Sequence, residues 1–374
     1  MVNTVVFVAN RGYALTSSRK SIITLFIKNG WTVVLATADD SDSRSLVDLG
    51  ANLEPIVFRR GGISLISDFV AFDKLSLIFK KWQPKLIQQF HAKPAILGTL
   101  SARKVLGKSV RIVNSITGLG NAFVGKGIAV CLAEFGYSLA IPKSDIVVFQ
   151  NSDDKKLFLD NGWVSEKQVC QITSSGVDLT RFHFIDRSNQ LNDSLVVIML
   201  SRLLKQKGIR EFIQIAHRVR EQMPQVNFIL AGEEEANHPD GLTADWVSQQ
   251  EAIKYLGRLE DVKPLLTEAA LFLFPSYYRE GVPRVILEAS ATGIPTAAFD
   301  EPGIREAVVD KVTGFLVPNR NLDALTARVL CLLENHADRL SMGLSARYMV
   351  EKRFDVHLIE QQYLDLYREL GLEI

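Results

Sequence analysis

Short apolar runs alternate with segments of helical length along nearly the whole chain, and this alternation limits the possible folds more than any other feature. The runs have the length of β-strands and are bounded by turn residues. Such a pattern predicts βαβ units that build doubly wound parallel sheets, with ligand sites at the carboxyl ends of the strands. The predicted strands are residues 5–8, 32–36, 84–89, 110–114, 146–149, 195–200, 227–231, 270–274 and 296–299, and the predicted helices include 18–29, 43–48, 94–105 and 284–292.

The length of the chain predicts two domains. A chain of 374 residues exceeds what one ordinary core holds. The stretch 186–193 is polar and irregular, so it is the best candidate for a linker. We therefore expect an α/β protein in which two Rossmann-like domains, residues 1–185 and 186–347, face a cleft, with helices at the C-terminus.

Composition excludes several classes of protein. A content of 47% hydrophobic and 23% charged residues is typical of a globular chain. Cys131, Cys170 and Cys331 are widely separated, which predicts reduced thiols in a reducing compartment and no zinc module. The N-terminal apolar run has no basic residues before it, and no apolar run reaches about 18 residues, so we expect neither a signal peptide nor a spanning helix.

The charge distribution is asymmetric. Residues 1–185 contain 22 Lys and Arg against 14 Asp and Glu, whereas residues 186–374 contain 21 against 28. A basic N-terminal half suits an anionic partner, such as a lipid diphosphate or the anionic leaflet of a membrane. Nucleic acid would suit the charge equally well, but the sequence has no nucleic-acid recognition motif, so we expect no nucleic-acid partner.

Two glutamates eight residues apart, Glu280 and Glu288, lie where a predicted strand, a glycine turn and a predicted helix follow one another. This arrangement places backbone N–H groups and the positive end of a helix where they can hold an anion. One carboxylate can then face a bound sugar while the other accepts hydrogen bonds from ribose hydroxyls. For either glutamate taken singly, an exposed position on a loop or helix face is the simpler interpretation.

A second loop carries two cations. Arg202 and Lys207 follow the predicted strand 195–200 and precede a helix that starts near Arg210. Two cations at the carboxyl end of a strand, beside a helix N-terminus, match what a diphosphate needs. Ordinary solvated cations are the alternative for either residue alone.

Residues 275–289 and the loop of Arg202 and Lys207 together resemble the signature of the family-4 retaining glycosyltransferases, and the resemblance covers essentially the whole chain. It implies the two-domain GT-B fold, in which the last helix, here residues 348–374, packs back on the N-terminal domain. It also implies catalysis by positioning and by electrostatic stabilisation of the departing diphosphate, without a protein nucleophile.

The same resemblance implies a donor site for a UDP-sugar. Arg202 and Lys207 would bind the diphosphate, and Glu280 would bind the sugar, so these three residues are the predicted catalytic residues. Further donor-binding residues carried over from the family are Gly12, Arg258, Leu259, Gly281, Val282 and Glu288. Glu288 would bind the ribose, Arg258 and Leu259 the base, and Gly12 would make room for the phosphates, although a tight turn without a ligand explains Gly12 equally well. The segments 302–306 and 313–318 would be scaffold, with Gly314 in a turn.

Two segments of the first half resemble the subgroup that adds an N-acetylhexosamine, or a related sugar, to a polyprenyl-diphosphate-linked acceptor in bacterial O-antigen, capsule or other glycan assembly. They are residues 90–94 and 114–123. The resemblance implies that His91 and Lys93 bind the acceptor phosphate and that Thr117 and Gly118 line the reacting centre. Thr117 stands where many members carry a histidine. A structural histidine at a strand end is the alternative for His91.

The expected partners are therefore a UDP-sugar, a polyprenyl-diphosphate-linked saccharide and the inner face of the cytoplasmic membrane, with no cofactor and no metal. Residues 64–82 form an apolar stretch that ends in Lys80 and Lys81, so they could lie in a membrane interface or form a buried helix. A GDP-sugar donor, a nucleotide-sugar epimerase or hydrolase, and a binding scaffold without turnover are the alternatives. A NAD oxidoreductase is disfavoured because no glycine fingerprint follows the first strand.

Overall fold

A computed structural model describes residues 3–59, 64–120, 128–188, 195–235 and 238–374. They form two compact units: Met1–Ser175 together with His357–Ile374, and Gly176–Val356. The expected linker at 186–193 lies mostly outside the described residues.

The boundaries of the units differ from the predicted domain boundaries. The first change of unit falls after Ser175 rather than after residue 185, and the return falls after Val356 rather than after residue 347. The reason is local pairing: the N–H of Val177 donates to the carbonyl of Phe354 at 2.8 Å. In addition, Phe182 is buried in the core of the second unit. Residues 176–185 and 348–356 therefore belong to the second unit.

The first unit contains a seven-stranded parallel sheet in the order β3-β2-β1-β4-β5-β6-β7. Most residues of its strands are apolar because helices cover both faces of the sheet, but the two central strands also bury Gln88, Gln89, Asn114 and Ser115. The strands are β1 Thr4–Val8, β2 Thr32–Thr37, β3 Asn52–Pro55, β4 Leu86–Phe90, β5 Arg111–Ile116, β6 Ile146–Phe149 and β7 Val169–Gln171. The helices are α1 Tyr13–Lys28, α2 Ser41–Val47, α3 Leu65–Trp82, α4 Thr99–Leu106, α5 Ile128–Ala140 and α6 Ser152–Asp160.

Two helices of this unit differ from their predicted form. The helix α1 begins at Tyr13, five residues before the predicted start. The predicted helix 94–105 is a π-helical turn, Pro94–Gly98, followed by α4. Proline is tolerated at the start of such a turn because the first N–H groups of a helix have no partner within it.

The second unit contains a six-stranded parallel sheet in the order β10-β9-β8-β11-β12-β13. Its strands are β8 Val196–Leu200, β9 Asn227–Ala231, β10 Lys254–Tyr255, β11 Leu271–Phe274, β12 Thr296–Phe299 and β13 Gly314–Val317. Its helices are α7 Ile209–Gln222, α8 Ala244–Ser248, α9 Lys263–Glu268, α10 Arg284–Ala291, α11 Ile304–Ala307, α12 Leu322–Glu334 and α13 His336–Arg353. Two apolar cores contain the buried side chains of this sheet. The prediction of two doubly wound parallel sheets is thus confirmed.

The last helix, α14 at Val356–Glu369, packs into the core of the first unit. Buried polar groups fix it there. The hydroxyl of Tyr367 donates to Oε1 of Gln88 at 2.9 Å, and Nη2 of Arg19 donates to the hydroxyl of Tyr363 at 3.0 Å. Burial raises the pKa of Tyr367, so its hydroxyl keeps the proton that this bond needs.

Candidate active site

The order of the second sheet reverses between β8 and β11. The chain runs from β8 to β9 on one side and from β11 to β12 on the other, so the connections diverge at this point. Such a divergence opens a crevice at the carboxyl ends of the two strands. Because β8 ends at Leu200 and β11 at Phe274, the loop of Arg202 and Lys207 and the segment of Glu280 leave the sheet side by side.

Lys207 and Glu280 meet directly at this point. Nζ of Lys207 contacts Oε1 of Glu280 and lies 4.5 Å from the ring centroid of Tyr278. Burial lowers the pKa of Lys207, the Glu280 carboxylate opposes this effect, and the charge of Arg202 adds to it. The ammonium of Lys207 is therefore desolvated, and the Glu280 carboxylate holds it in position. Such an ammonium is already placed to bind a highly charged anion before the anion arrives.

Arg202 has a carboxylate partner that the sequence did not reveal. Its Nη1 lies 2.9 Å from Oε1 of Glu235, which follows the neighbouring strand β9. Interaction with Glu235 raises the pKa of Arg202 against the effect of its burial. The run of three glutamates at 233–235 was visible in the sequence, but only the order of the strands shows that it lies beside Arg202.

Glu288 lies in the second turn of α10 and is almost completely buried, with 9% of its surface exposed. Nη2 of Arg284, one turn earlier, lies 3.4 Å from its Oε1. Burial raises the pKa of Glu288, and the charges of Arg284 and Arg181 oppose that effect. A buried carboxylate with one long contact to a cation is costly for the fold alone, and a ligand that donates hydrogen bonds would offset that cost.

The backbone around Glu280 depends on a glycine in the loop after β12. Gly303 has φ of 79°, and a Cβ built there would lie 1.4 Å from the carbonyl oxygen of Gly281. Gly281 and Val282 themselves are buried, and Val282 belongs to the core of the unit. The loop of Gly303 thus supports the turn that carries Glu280.

We expect the substitution Gly303→Ala to lower the free energy of unfolding by about 3 kcal/mol or more, since a strained backbone and a backbone clash add together. Gly257→Ala is the matched control. Gly257 also has a positive φ, 69°, but nothing lies within 4 Å of the Cβ position, so only the backbone strain of about 1 kcal/mol applies. Urea unfolding of both variants measures the difference, and equal losses would contradict the role of Gly303.

Arg258 and Leu259, the residues predicted at the base, lie after the short strand β10. Arg258 is mostly exposed and lies 3.6 Å from Oε1 of Glu233, whereas Leu259 packs against the core of the unit. The predicted turn at Gly314 is wrong. Gly314 begins strand β13, and its glycine is required because a Cβ would lie 1.9 Å from the carbonyl oxygen of Thr296.

In the first unit, Gly12 has a structural reason to be glycine. Its N–H donates to Oδ2 of Asp40 at 3.0 Å, and a Cβ would lie 2.2 Å from the other oxygen of that carboxylate. Asp40 also caps α2 by accepting from the N–H of Ser43 at 2.8 Å. A role of Gly12 at the donor phosphates stays a prediction.

The predicted acceptor residues lie at the carboxyl ends of β4 and β5. His91 directly follows β4 with φ of 74°, and Lys93 forms a half-buried ion pair in which Nζ lies 2.6 Å from Oδ1 of Asp68. Thr117 and Gly118 directly follow β5, with both residues partly exposed. The first sheet reverses its order between β1 and β4, so Gly12 and His91 flank its switch point.

In the part of the chain that the structure describes, no group of three or more His, Cys, Asp or Glu side chains is placed so that it could hold a metal ion. Within the same residues, no helix is long and apolar enough to cross a membrane.

Relatives of the chain are found among enzymes that transfer sugars. The N,N'-diacetylbacillosaminyl-diphospho-undecaprenol alpha-1,3-N-acetylgalactosaminyltransferase of Campylobacter jejuni is 26% identical over 375 residues, which cover 96% of this chain and 97% of the relative. The UDP-Gal:alpha-D-GlcNAc-diphosphoundecaprenol alpha-1,3-galactosyltransferase of Escherichia coli is 22% identical, with 82% and 81% covered. Anabaena HepE, solved in complex with UDP, has a TM-score of 0.76 at 18% identity, with 99% of this chain and 100% of HepE covered.

The likeness to solved structures and the two doubly wound sheets define the fold of the protein, which is the GT-B fold. The class of the protein follows from the family models, since both halves of the chain match a family of glycosyltransferases. Residues 182–349 match the glycosyl transferases group 1 and residues 4–151 the glycosyl transferase 4-like proteins. The chain belongs to these glycosyltransferases.

Proposed function

We propose that the protein is a retaining glycosyltransferase of family 4 that transfers a sugar from a UDP-sugar to a polyprenyl-diphosphate-linked saccharide. The observation that carries the proposal is the meeting of Arg202, Lys207 and Glu280 at the switch point of the second sheet, with Glu288 buried in the helix that follows. Cations there suit a diphosphate, and carboxylates suit hydroxyl groups.

The identity of the substrates is supported by the relatives. The names of the Campylobacter jejuni and Escherichia coli enzymes both specify acceptors linked to undecaprenol through a diphosphate, and the second specifies a UDP-sugar. We extend these features to this chain, with an N-acetylhexosamine or a deoxy relative as the transferred sugar. The product would belong to a bacterial surface polysaccharide such as O-antigen or capsule.

Binding of the donor would rearrange the pair of Lys207 and Glu280. A diphosphate oxygen competes for Nζ of Lys207, which is held by one carboxylate in the free protein. Once Nζ turns to the phosphate, the Glu280 carboxylate can accept hydrogen bonds from sugar hydroxyls. Because the ammonium is already desolvated, its attraction to the phosphate is stronger than it would be in water.

The transfer itself needs no protein nucleophile. The bond between the anomeric carbon and the diphosphate oxygen breaks, and a bond from the acceptor oxygen forms on the same face of the sugar. The departing diphosphate oxygen takes the acceptor proton. Arg202 and Lys207 stabilise the negative charge that develops on that oxygen, which is the main contribution of the protein to the rate.

The acceptor would bind through the first unit. Among the predicted acceptor residues, Lys93 carries the positive charge, and it lies near the carboxyl end of β4. Its ion pair with Asp68 must open, or be shared, when a phosphate binds. His91, Thr117 and Gly118 would line the same region. We further propose that no metal ion takes part and that the enzyme works in the cytoplasm, at the inner face of the cytoplasmic membrane.

Ligand-induced stabilisation followed by a transfer assay tests the proposal. We expect UDP, but not GDP, ADP or NAD, to raise the melting temperature, since a ligand that binds only the native state stabilises it. Transfer from UDP-N-acetylhexosamines to a polyprenyl-diphosphate-linked saccharide should persist in EDTA and give an α-linked product from an α-linked donor. Stabilisation by GDP alone, loss of turnover in EDTA, an inverted product, or turnover without an acceptor would each contradict a stated part of the proposal.

A further inference from the structure

The loop after β9 is paired with the loop after β8. The N–H of Ser201 donates to the carbonyl of Ala231 at 3.0 Å, and the N–H of Leu203 donates to the carbonyl of Glu233 at 2.9 Å. A Cβ built at Gly232 would lie 1.7 Å from the carbonyl oxygen of Ser201, so this close approach requires glycine. The pairing of the two strands thus continues beyond the edge of the sheet, to the point where the donor site begins.

Glu235 lies at the far end of this pairing, and its backbone is fixed there. The N–H of His238 donates to the carbonyl of Glu235 at 2.9 Å, and a Cβ at Gly241 would lie 2.6 Å from the same carbonyl oxygen. Gly241 also forms an antiparallel bridge with Leu204 of the loop after β8. Contacts of the backbone therefore place the side chain of Glu235 beside Arg202, and this placement does not depend on the ion pair itself.

The three consecutive glutamates of the loop after β9 face different surroundings. The side chain of Glu233 is 43% exposed. Oε2 of Glu234 accepts a hydrogen bond from the N–H of Ala244 at 2.9 Å, at the start of α8. Glu235 is directed to the donor site, where 11% of its side chain is exposed and its Oε1 lies 2.9 Å from Nη1 of Arg202. Adjacent residues of the same type thus differ in whether they reach the predicted diphosphate site.

The charged side chains at the switch point are already paired. Lys207 contacts Glu280, and Arg202 pairs with Glu235, so these four side chains together carry no net charge. Burial would lower the pKa of Arg202, but the hydrogen bond and the charge of Glu235 raise it. A diphosphate that binds here must compete with Glu235 for the guanidinium, and it gains less from a paired cation than from an unpaired one.

Release of the diphosphate is the step that this competition assists. After transfer, the terminal phosphate of the nucleotide loses the proton that it took from the acceptor, because the second ionisation of a phosphate monoester lies below neutral pH. The product is then more negative than the donor was, and cations bind it more tightly. Product release limits the turnover of many enzymes, so a carboxylate that takes one cation back from the product shortens the catalytic cycle.

We propose that Glu235 is a positioning residue that competes with the diphosphate for Arg202 and so speeds the release of the nucleotide after transfer. Glu235 contacts Arg202 rather than the substrate. It holds the guanidinium in the free protein and takes it back when the product leaves. The proposal rests on the proposed function for the identity of the nucleotide, whereas the competition itself concerns any diphosphate at this site.

Calorimetric titration of the full chain tests the competition. The ligands are UDP, inorganic pyrophosphate and uridine, and the variant is Glu235→Gln, which keeps the size of the side chain and removes its charge. We expect the variant to bind UDP and pyrophosphate about five- to tenfold more tightly than the native protein, because a negative charge close to the diphosphate is removed. The affinity for uridine, which has no phosphate, should change by less than about twofold.

The sign of this change separates the proposed role from a merely structural one. If Glu235 only supported its loop, its replacement would loosen the site and weaken the binding of UDP. The variant should also fold, since the ion pair is partly exposed, with 31% of the Arg202 side chain accessible, and such pairs contribute little to stability.

Glu234→Gln is the matched control. It changes the net charge equally at the adjacent residue, and its amide oxygen can still accept the hydrogen bond from Ala244. Its affinity for UDP should stay within about twofold of the native value, since its charge is directed to α8. A second variant, Glu235→Asp, keeps a negative charge beside Arg202 and should not bind UDP more tightly than the native protein. Tighter binding by either variant would contradict the assignment to the charge of Glu235.

Stopped-flow kinetics measure the release itself. The rate constant for dissociation of UDP should be about five- to tenfold lower in Glu235→Gln, because changes of affinity among variants of one site lie mostly in dissociation. Product inhibition by UDP in the transfer assay should become stronger by the same factor. Tighter binding that came only from faster association would show that Glu235 does not act on release, and the proposal would be wrong.

The three ligands separate this proposal from the proposed function. If Glu235→Gln binds UDP and pyrophosphate no more tightly than the native protein does, the role of Glu235 is overturned and the donor assignment stands. If the native protein binds pyrophosphate and GDP but not UDP, and Glu235→Gln binds both more tightly, the donor assignment falls and the role of Glu235 stands. A native protein that binds neither a nucleoside diphosphate nor pyrophosphate would overturn both.

Discussion

The substitution Lys207→Ala is expected to lower kcat by about two to three orders of magnitude, which is the usual effect of removing one group that stabilises a developing oxyanion. Lys207 is desolvated and lies against Glu280 and the ring of Tyr278. An ammonium held in this way need not reorganise when the diphosphate departs. Steady-state kinetics with saturating donor and acceptor measure the effect on kcat apart from binding.

Lys205→Ala is the control for that experiment. Lys205 belongs to the same short turn, Lys205–Lys207, but is more exposed. We expect it to keep kcat within a factor of a few. Lys207→Ala also removes the contact between Lys207 and Glu280, so a small loss of thermal stability should accompany the kinetic effect. A folded Lys207→Ala protein with near-normal turnover would show that the diphosphate is stabilised elsewhere.

The substitution Glu288→Gln should move stability and ligand affinity in opposite directions. The variant should melt at a higher temperature than the native protein at neutral pH, because burial disfavours the charged carboxylate. Its affinity for UDP should fall by about 10- to 100-fold, since hydrogen bonds to a charged group contribute about 1.5–3 kcal/mol. A thermal melt and a calorimetric titration measure the two effects on one preparation.

The pH dependence supplies the control for this second prediction. The pKa of Glu288 is raised in the native state, so the native protein binds more protons than the unfolded chain above the ordinary glutamate value of 4.5. The free energy of unfolding of the native protein therefore falls as the pH rises from 4.5 through the raised pKa of Glu288. The substitution Glu288→Gln removes this contribution to the fall. The stability difference between the two proteins should shrink towards pH 4. A variant less stable than the native protein at neutral pH would mean that Glu288 supports the fold and not the ribose.

Several strands could be predicted to the residue. The predicted bounds of β6, β9 and β12 are those of the structure, because parallel strands buried on both faces are continuous apolar runs with polar ends. Helix starts were harder. The helix α1 begins directly after Gly12, which caps it without a side-chain hydrogen bond, so the sequence offered no capping residue to mark the start. The helix α5 was missed, since its apolar residues lie on both its buried and its exposed side.

The candidate site shows the same division between local and distant information. Arg202, Lys207 and Glu280 could be named from the sequence, since each lies in the segment that connects an apolar strand to the next helix. Their partners could not. Glu235 follows a different strand, β9, and its contact with Arg202 depends on β9 lying next to β8.

The sequence by itself determined the fold class, the alternation of strands and helices, and the identity of the charged residues at the strand ends. These properties depend on the local pattern of apolar and polar groups, which each segment carries in its own residues. Only the tertiary structure decided the order of the strands, the burial of Lys207 and Glu288, and the unit to which α14 belongs. Each of these depends on groups far apart in the chain, whose meeting is fixed by packing rather than by any segment alone.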